Sequence, residues 1–250
     1  MKPIQVAVIM PWPGCNMFCN FCITEDNFDC MSFDQAVEML EYVKRLGVKN
    51  IVFGGGEPFC WPNNIVRLCE KAKNDGFLVQ VGTNATMLNP GFESLSCIDR
   101  FVIPIESTDP EIHDIMRNFP GGHHSIIMDC LTKLKNAKKS VTISTVVTKL
   151  NKDCLLNIAK FLMEYNEGTN HIHAWHLYRF IPEGRGGGIN ADILDIPVEE
   201  YLEKCNEVKA LNMPFHVFRR DDMYNSKTVE FFRFENQKPV IQNSRGISPQ

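Results

Sequence analysis

Six short runs rich in β-branched and other apolar residues, at 5–10, 50–53, 78–81, 100–105, 141–147 and 172–180, alternate with longer stretches of helical periodicity. No other feature limits the fold so strongly. Parallel strands need a long crossover between them, and a helix is the usual one, so this alternation predicts parallel β/α units. The helical stretches are 32–46, 63–74, 91–95, 125–136, 154–165 and 198–211. The first starts on Ser32-Phe-Asp-Gln35, which fits a capping box. Ala36, Val37, Leu40, Val43 and Leu46 then share one face, and Gly47 suits the C-terminal cap. Gly76 ends the second stretch in the same way.

Six units are too few for a closed eight-fold ring, so the expected fold is α/β: a partial (β/α)6 TIM-like barrel with a short C-terminal extension. We place no domain boundary: 1–250 reads as a single domain, with a core at about 5–190 and the extension at about 190–250. Within the extension, 229–234 and 239–242 flank Glu235-Asn-Gln-Lys238 as a hairpin. In β/α barrels chemistry sits at the C-terminal ends of the strands. The segments carrying reactive, glycine-rich or polar residues fall at such ends.

Cys15, Cys19 and Cys22, spaced C-x3-C-x2-C, follow the first strand. Iron–sulfur clusters normally take four cysteines. Three thiolates on one loop would hold three irons of a cubane and leave the fourth open for chemistry. The competing reading is structural zinc, which is usually closed by four ligands, with Cys30 as a possible fourth. The other seven of the ten cysteines are scattered and read as small apolar residues. Gly54-Gly55-Gly56-Glu57-Pro58 follows the second strand, where glycines allow close backbone approach to a ligand. Five histidines, 113, 123, 124, 171 and 173, read as surface or satisfied core residues.

The cysteine spacing, the aromatic Phe21 before the last cysteine, the Gly55-Gly56-Glu57-Pro58 motif, Gly82-Thr83-Asn84-Ala85 and Ile105-Glu106-Ser107-Thr108-Asp109-Pro110 together resemble the radical S-adenosylmethionine (radical SAM) superfamily. The resemblance covers nearly all of 5–190. It implies a [4Fe-4S] cluster on Cys15, Cys19 and Cys22, with S-adenosyl-L-methionine chelating the open iron. It implies cofactor-binding roles for Gly55, Gly56, Glu57, Thr83, Asn84, Glu106, Ser107, Ser144 and Arg179. Arg185 and the three glycines after it extend the last segment as a flexible loop. The implied reaction is reductive cleavage to methionine and a 5′-deoxyadenosyl radical, which abstracts hydrogen from a substrate. No catalytic residue beyond these sets is assigned. An electron donor such as flavodoxin or ferredoxin is implied.

Within the superfamily, strands five and six resemble the molybdenum-cofactor cyclase branch, and Phe218-Arg-Arg-Asp-Asp-Met-Tyr-Asn-Ser226 resembles the viperin branch. Both point to a small-molecule or nucleotide-like substrate. A peptide- or protein-modifying enzyme, including a glycyl-radical-enzyme activase, is the alternative, and a non-enzymatic iron–sulfur protein is a third. With 26 basic and 30 acidic residues the net charge is −4, which offers no basic face for nucleic acid or an anionic membrane. The apolar run at 6–12 lacks the marks of a signal peptide and is too short to span a bilayer. The expectation is a cytoplasmic, oxygen-sensitive enzyme.

Overall fold

The computed structural model describes residues 4–241, apart from 120, 169, 224, 225 and 227. One nine-stranded sheet organises it. Its strands are β1 (Val6–Ile9), β2 (Asn50–Phe53), β3 (Leu78–Gly82), β4 (Arg100–Pro104), β5 (Ser140–Val147), β6 (Ile172–Arg179), β7 (His216–Arg220), β8 (Val229–Glu235) and β9 (Lys238–Ile241). They stand in the order β7-β6-β5-β4-β3-β2-β1-β8-β9. Neighbours from β7 through β8 are parallel, and β8–β9 is an antiparallel hairpin. The first six strands therefore follow chain order, as a partial β/α barrel requires. The barrel is not closed: among the described residues β7 and β9 are free edges.

The helices are α1 (Phe33–Arg45), α2 (Ile65–Asn74), α3 (Pro110–Arg117), α4 (His123–Asn136), α5 (Leu155–Asn166), the single turns α6 (Gly184–Gly187) and α7 (Ala191–Leu194), and α8 (Val198–Ala210). Strand side chains alternate between faces. Ile51, Phe53, Val79, Val81, Phe101 and Ile103 join the buried core with Leu40 of α1 and Leu68 of α2. The opposite set, including Val102, Pro104, Ser144, Val146 and Tyr178, lines a cavity. The sheet thus separates a stabilising face from a face free to bind.

The expected strands are present within about two residues, the usual uncertainty of element ends. The capping box forms: Gln35 N donates to Ser32 Oγ at 3.2 Å and Ser32 N to Gln35 Oε1 at 2.8 Å. The 91–95 stretch forms only a 3₁₀ turn, Phe92–Ser94. Helix α3 lies outside the expected helical stretches, and its signal is at its start. Asp109 caps it by accepting from Glu111 N at 2.9 Å, and Pro110 occupies its first turn. Strand β7 was not expected. The hairpin is present, and β8 also pairs with β1, Val8 beside Phe231. No described helix is long and apolar enough to cross a membrane.

Candidate functional site

The loop carrying Cys15, Cys19 and Cys22 leaves β1 and is held by backbone on two sides. On one side is the glycine turn after β2. Gly56 N donates to Trp12 O at 3.0 Å and Glu57 N to Gly14 O at 2.9 Å. On the other side is α6, whose Gly186 and Gly187 N–H groups donate to Cys22 O at 3.0 and 3.1 Å. A Cβ at Gly186 would lie 2.1 Å from Cys19 O, so only glycine permits this approach. This corrects the flexible-loop expectation: these glycines are a packed turn, buried at Gly186 and Gly187.

The three thiols line one cavity of about 310 Å³, in the range of small-ligand sites. Donors converge on the sulfurs, with the Arg185 guanidinium beside Cys22. Met17 N lies 3.4 Å and Asn84 Nδ2 3.6 Å from Cys15 Sγ, and Arg117 Nη1 lies 3.7 Å from Cys19 Sγ. Burial pushes the Cys19 thiol up to about 11, with Arg117 pulling the other way. Burial likewise raises Cys15. Neutral thiols are thus favoured until a metal takes the sulfur and releases the proton. Donors already aimed at sulfur suit the thiolate form that a cluster needs.

Glu57 caps the 3₁₀ turn Pro58–Cys60. Its Oε1 accepts from Thr83 Oγ1 at 2.7 Å and Phe59 N at 3.1 Å, and its Oε2 from Asn84 N at 2.7 Å. Burial pushes its carboxyl above the usual range, and these three bonds pull it back. The carboxylate therefore ties the β2 turn to the end of β3. Gly56 lines the cavity, and among the described residues its carbonyl accepts no hydrogen bond.

At the ends of β4 and β5, Glu106 is fully buried and forms an ion pair with Arg117 Nη2. Its other oxygen accepts from Val146 N at 2.8 Å. Burial opposes the charge on Arg117, but Glu106 and the Cys19 sulfur outweigh it and raise its value. Arg117 also lies 4.9 Å over the Phe21 ring. One guanidinium thereby joins β4, α3 and the cysteine loop. None of the motifs singles out Arg117; the signal available is an arginine in the last turn of the helix that follows Glu106.

Behind this pair, His113 and His123 form a relay. Glu106 N donates to His113 Nδ1 at 3.2 Å. His113 Nε2 lies 2.8 Å from His123 Nδ1, and His123 Nε2 lies 2.8 Å from Asn84 O. An N–H at one end and a carbonyl at the other fix both rings as neutral Nε2–H tautomers. Burial holds His113 at about 2 and His123 at about 4, against an ordinary 6.5. Both are the satisfied core histidines expected. Since the folded values are depressed, the unfolded chain protonates first. The pair's contribution to stability is full above 6.5 and is lost as pH falls through about 4 for His123 and on toward about 2 for His113. Imidazole ¹⁵N shifts should accordingly show two neutral rings that do not titrate between about pH 5 and 8. A titrating ring there would break the relay assignment.

Of the residues singled out from sequence, the structure brings Cys15, Cys19, Cys22, Gly55, Gly56, Glu57, Thr83, Asn84, Ser144 and Arg179 to the cavity wall. Glu106 and Ser107 stand outside it. Glu106 is occupied by Arg117, and Ser107 Oγ accepts from Asp109 N at 3.0 Å at the start of α3. Arg185 reaches the wall, donating to Pro13 O at 3.1 Å and pairing with Asp26.

The family model of the radical SAM superfamily matches residues 9–162, more than half of the chain. A 7-carboxy-7-deazaguanine synthase from Clostridium acetobutylicum is 29% identical over 152 residues, 58% of this chain and 68% of that protein. An S-adenosylmethionine-dependent nucleotide dehydratase from Lacinutrix mariniflava is 27% identical over 207 residues. That match takes in 76% of this chain but only 41% of the dehydratase, so the chain spans well under half of that relative. Among solved structures, Streptococcus suis SuiB bound to S-adenosylmethionine matches with a TM-score of 0.72 at 15% identity. The match covers 96% of this chain and 60% of SuiB, a likeness of fold. With its cysteine loop, glycine turn and open parallel barrel, the chain belongs to the radical SAM superfamily, a family of enzymes that use S-adenosylmethionine and an iron–sulfur cluster.

Proposed function

We propose that this protein binds a [4Fe-4S] cluster through Cys15, Cys19 and Cys22 and cleaves S-adenosylmethionine to abstract hydrogen from a small, nucleotide-like substrate. The observation that carries the proposal is the convergence of three free thiols, the glycine turn and Arg117 on one cavity. Among the described residues no three His, Cys, Asp or Glu side chains are grouped so as to hold a single metal ion.

A bound, reduced cluster would supply the electron for breaking a carbon–sulfur bond of S-adenosylmethionine. The protein's residues hold and shield the reactants. The Gly56 carbonyl is the acceptor for the ammonium group, because the Glu57 carboxylate already serves Thr83, Asn84 and Phe59. The Arg117 guanidinium, on the cavity wall and with a buried Nε–H that has no partner among the described residues, would be the cation for the carboxylate. Asn84 and Arg117 donate to the sulfurs and favour the added negative charge of a reduced cluster. Thr83 fixes Glu57, while Ser144 and Arg179 line the remaining wall. Small-molecule chemistry is favoured over peptide chemistry by the named relatives, a deazaguanine synthase and a nucleotide dehydratase. The reductant would be a flavodoxin- or ferredoxin-like donor, and the setting a cytoplasm low in oxygen.

The test is anaerobic reconstitution with iron and sulfide, reduction, and detection of 5′-deoxyadenosine. Product should form from the parent chain and vanish in a Cys15→Ala/Cys19→Ala/Cys22→Ala variant. A parent chain that takes up no iron and binds no S-adenosylmethionine would sink the proposal.

A further inference from the structure

We propose that the inward face of β6 and β7 is the substrate subsite, taking a planar heteroaromatic ring against Phe218 and the ring's phosphate group at Arg220. This deepens the proposed function and rests on it. Tyr178 lines the cavity, and in the sheet register it stands beside Arg220, with His176 beside Phe218. Side-chain alternation puts all four on the face that carries Ser144 and Val146. Ring contacts agree: His176 lies 5.8 Å from Tyr178 and 5.1 Å from Phe218. The cavity wall thus continues sideways as an aromatic shelf to the free edge of the sheet.

The shelf has an open aromatic surface and uncommitted positive charge. Phe218 is 39% exposed, although it lies on the binding face of the sheet. Arg220 covers part of its ring at 5.1 Å. Among the described residues, Arg220 makes no ion pair. Among those residues its side chain makes one hydrogen bond, a long one, 3.4 Å from Nε to His176 Nδ1. Arg179, at the end of β6, donates only to a backbone carbonyl, Asp221 O at 3.2 Å, and is likewise without an ion pair among them. An open aromatic ring with one guanidinium against it, and a second where β6 ends at the cavity wall, suits a nucleotide: the ring stacks and the phosphate takes the N–H forks.

The shelf is also held in place before any ligand arrives. Arg220 N donates to Tyr201 Oη at 2.8 Å, and Tyr201 Oη donates to Leu177 O at 2.6 Å, from a buried side chain of α8. Burial and Arg220 keep His176 neutral, near 3, so it adds hydrogen bonding without repelling the guanidinium. The second chamber, about 200 Å³ beside β8, offers no such excess charge, because its Arg233 is paired with Glu235.

The test uses the reconstituted holoenzyme with S-adenosylmethionine, titrated anaerobically with GTP, CTP, their nucleosides and tripolyphosphate. We expect at least one nucleotide to bind about tenfold or more tighter than its nucleoside or tripolyphosphate. Arg220→Gln should erase about a tenfold advantage of nucleotide over nucleoside. Phe218→Leu should weaken nucleotide and nucleoside alike, about tenfold. An unchanged nucleotide-to-nucleoside ratio in Arg220→Gln, or tripolyphosphate binding as tightly as the nucleotide, would overturn the subsite. A parent holoenzyme that forms 5′-deoxyadenosine but binds neither nucleotide would overturn it too, and would leave the proposed cleavage standing. Failure of cleavage itself would instead strike the reading beneath.

Discussion

Arg117→Met is expected to destabilise the fold by about 3–5 kcal/mol, because it leaves the carboxylate of Glu106 buried without its cation. Glu106 is fully buried, and its remaining partner is one backbone N–H, from Val146. Burial already pushes this carboxyl above the usual range, and Arg117 is the main influence holding it down. Removing the guanidinium therefore raises it further. A folded value above the unfolded one means that the unfolded chain releases its proton first as pH rises. Stability is then greatest below the ordinary glutamate range and falls as pH climbs through the folded value. Urea denaturation at about pH 5.5 and about pH 8 should show a larger loss at the higher pH. A Glu106→Gln/Arg117→Met double variant should recover about 1–3 kcal/mol of the loss at pH 8, since the amide carries no charge to strand. Equal losses at both pH values, with no recovery in the double variant, would mean that lost packing and not a stranded charge explains the effect.

The same pair marks the boundary of what could be read from the chain. The strands and the capping box were legible because their signals are local: alternation, caps and glycines act within a few residues. The cysteine loop and the Gly55-Gly56-Glu57 turn were legible as motifs, and both stand on the cavity wall. Glu106 was read by analogy as a ligand contact, yet its carboxylate is spent on Arg117 and Val146. Whether a carboxylate faces a ligand or a neighbour depends on the side chains that the fold brings beside it, and here the decisive one is carried by α3. That helix is only eight residues long, and its clearest local signal is the Asp109-Pro110 start.

The other surprises share that cause. His113 and His123 look like any polar residues until folding stacks them at 5.1 Å between Glu106 and Asn84. The Gly186-Gly187-Gly188 run reads as slack chain, yet Gly186 and Gly187 are buried in a turn because the cysteine loop packs against them. Strand β8 was visible, but its place beside β1 joins residues more than two hundred positions apart. No local pattern encodes such a pairing.

Gly56→Ala should disable the site by a different route, through backbone alone. A Cβ at this position would stand 1.7 Å from Gly14 O and 2.6 Å from Pro13 O, where real Cβ contacts essentially never fall below 3.0 Å. Both obstacles are main chain, so no side-chain rotation relieves them. The two segments are also clamped together, Gly56 N to Trp12 O and Glu57 N to Gly14 O. The methyl group must therefore prise the cysteine loop away from the β2 turn. Two backbone hydrogen bonds and the strain of overpacking together amount to about 2–6 kcal/mol. The loop that moves carries Cys15, so iron and sulfide bound per chain after reconstitution should fall sharply, along with thermal stability. Gly47→Ala is the matched control. Its φ of +78° makes alanine strained there, at about 1–2 kcal/mol, yet nothing lies within 4 Å of the new Cβ. That variant should lose stability and keep its iron. If Gly56→Ala binds as much iron as Gly47→Ala, the close approach of the two backbones is not what seats the cysteines. If only Gly56→Ala loses iron, the glycine acts as the hinge plate on which the cysteine loop is mounted, a role distinct from any contact it makes with a ligand.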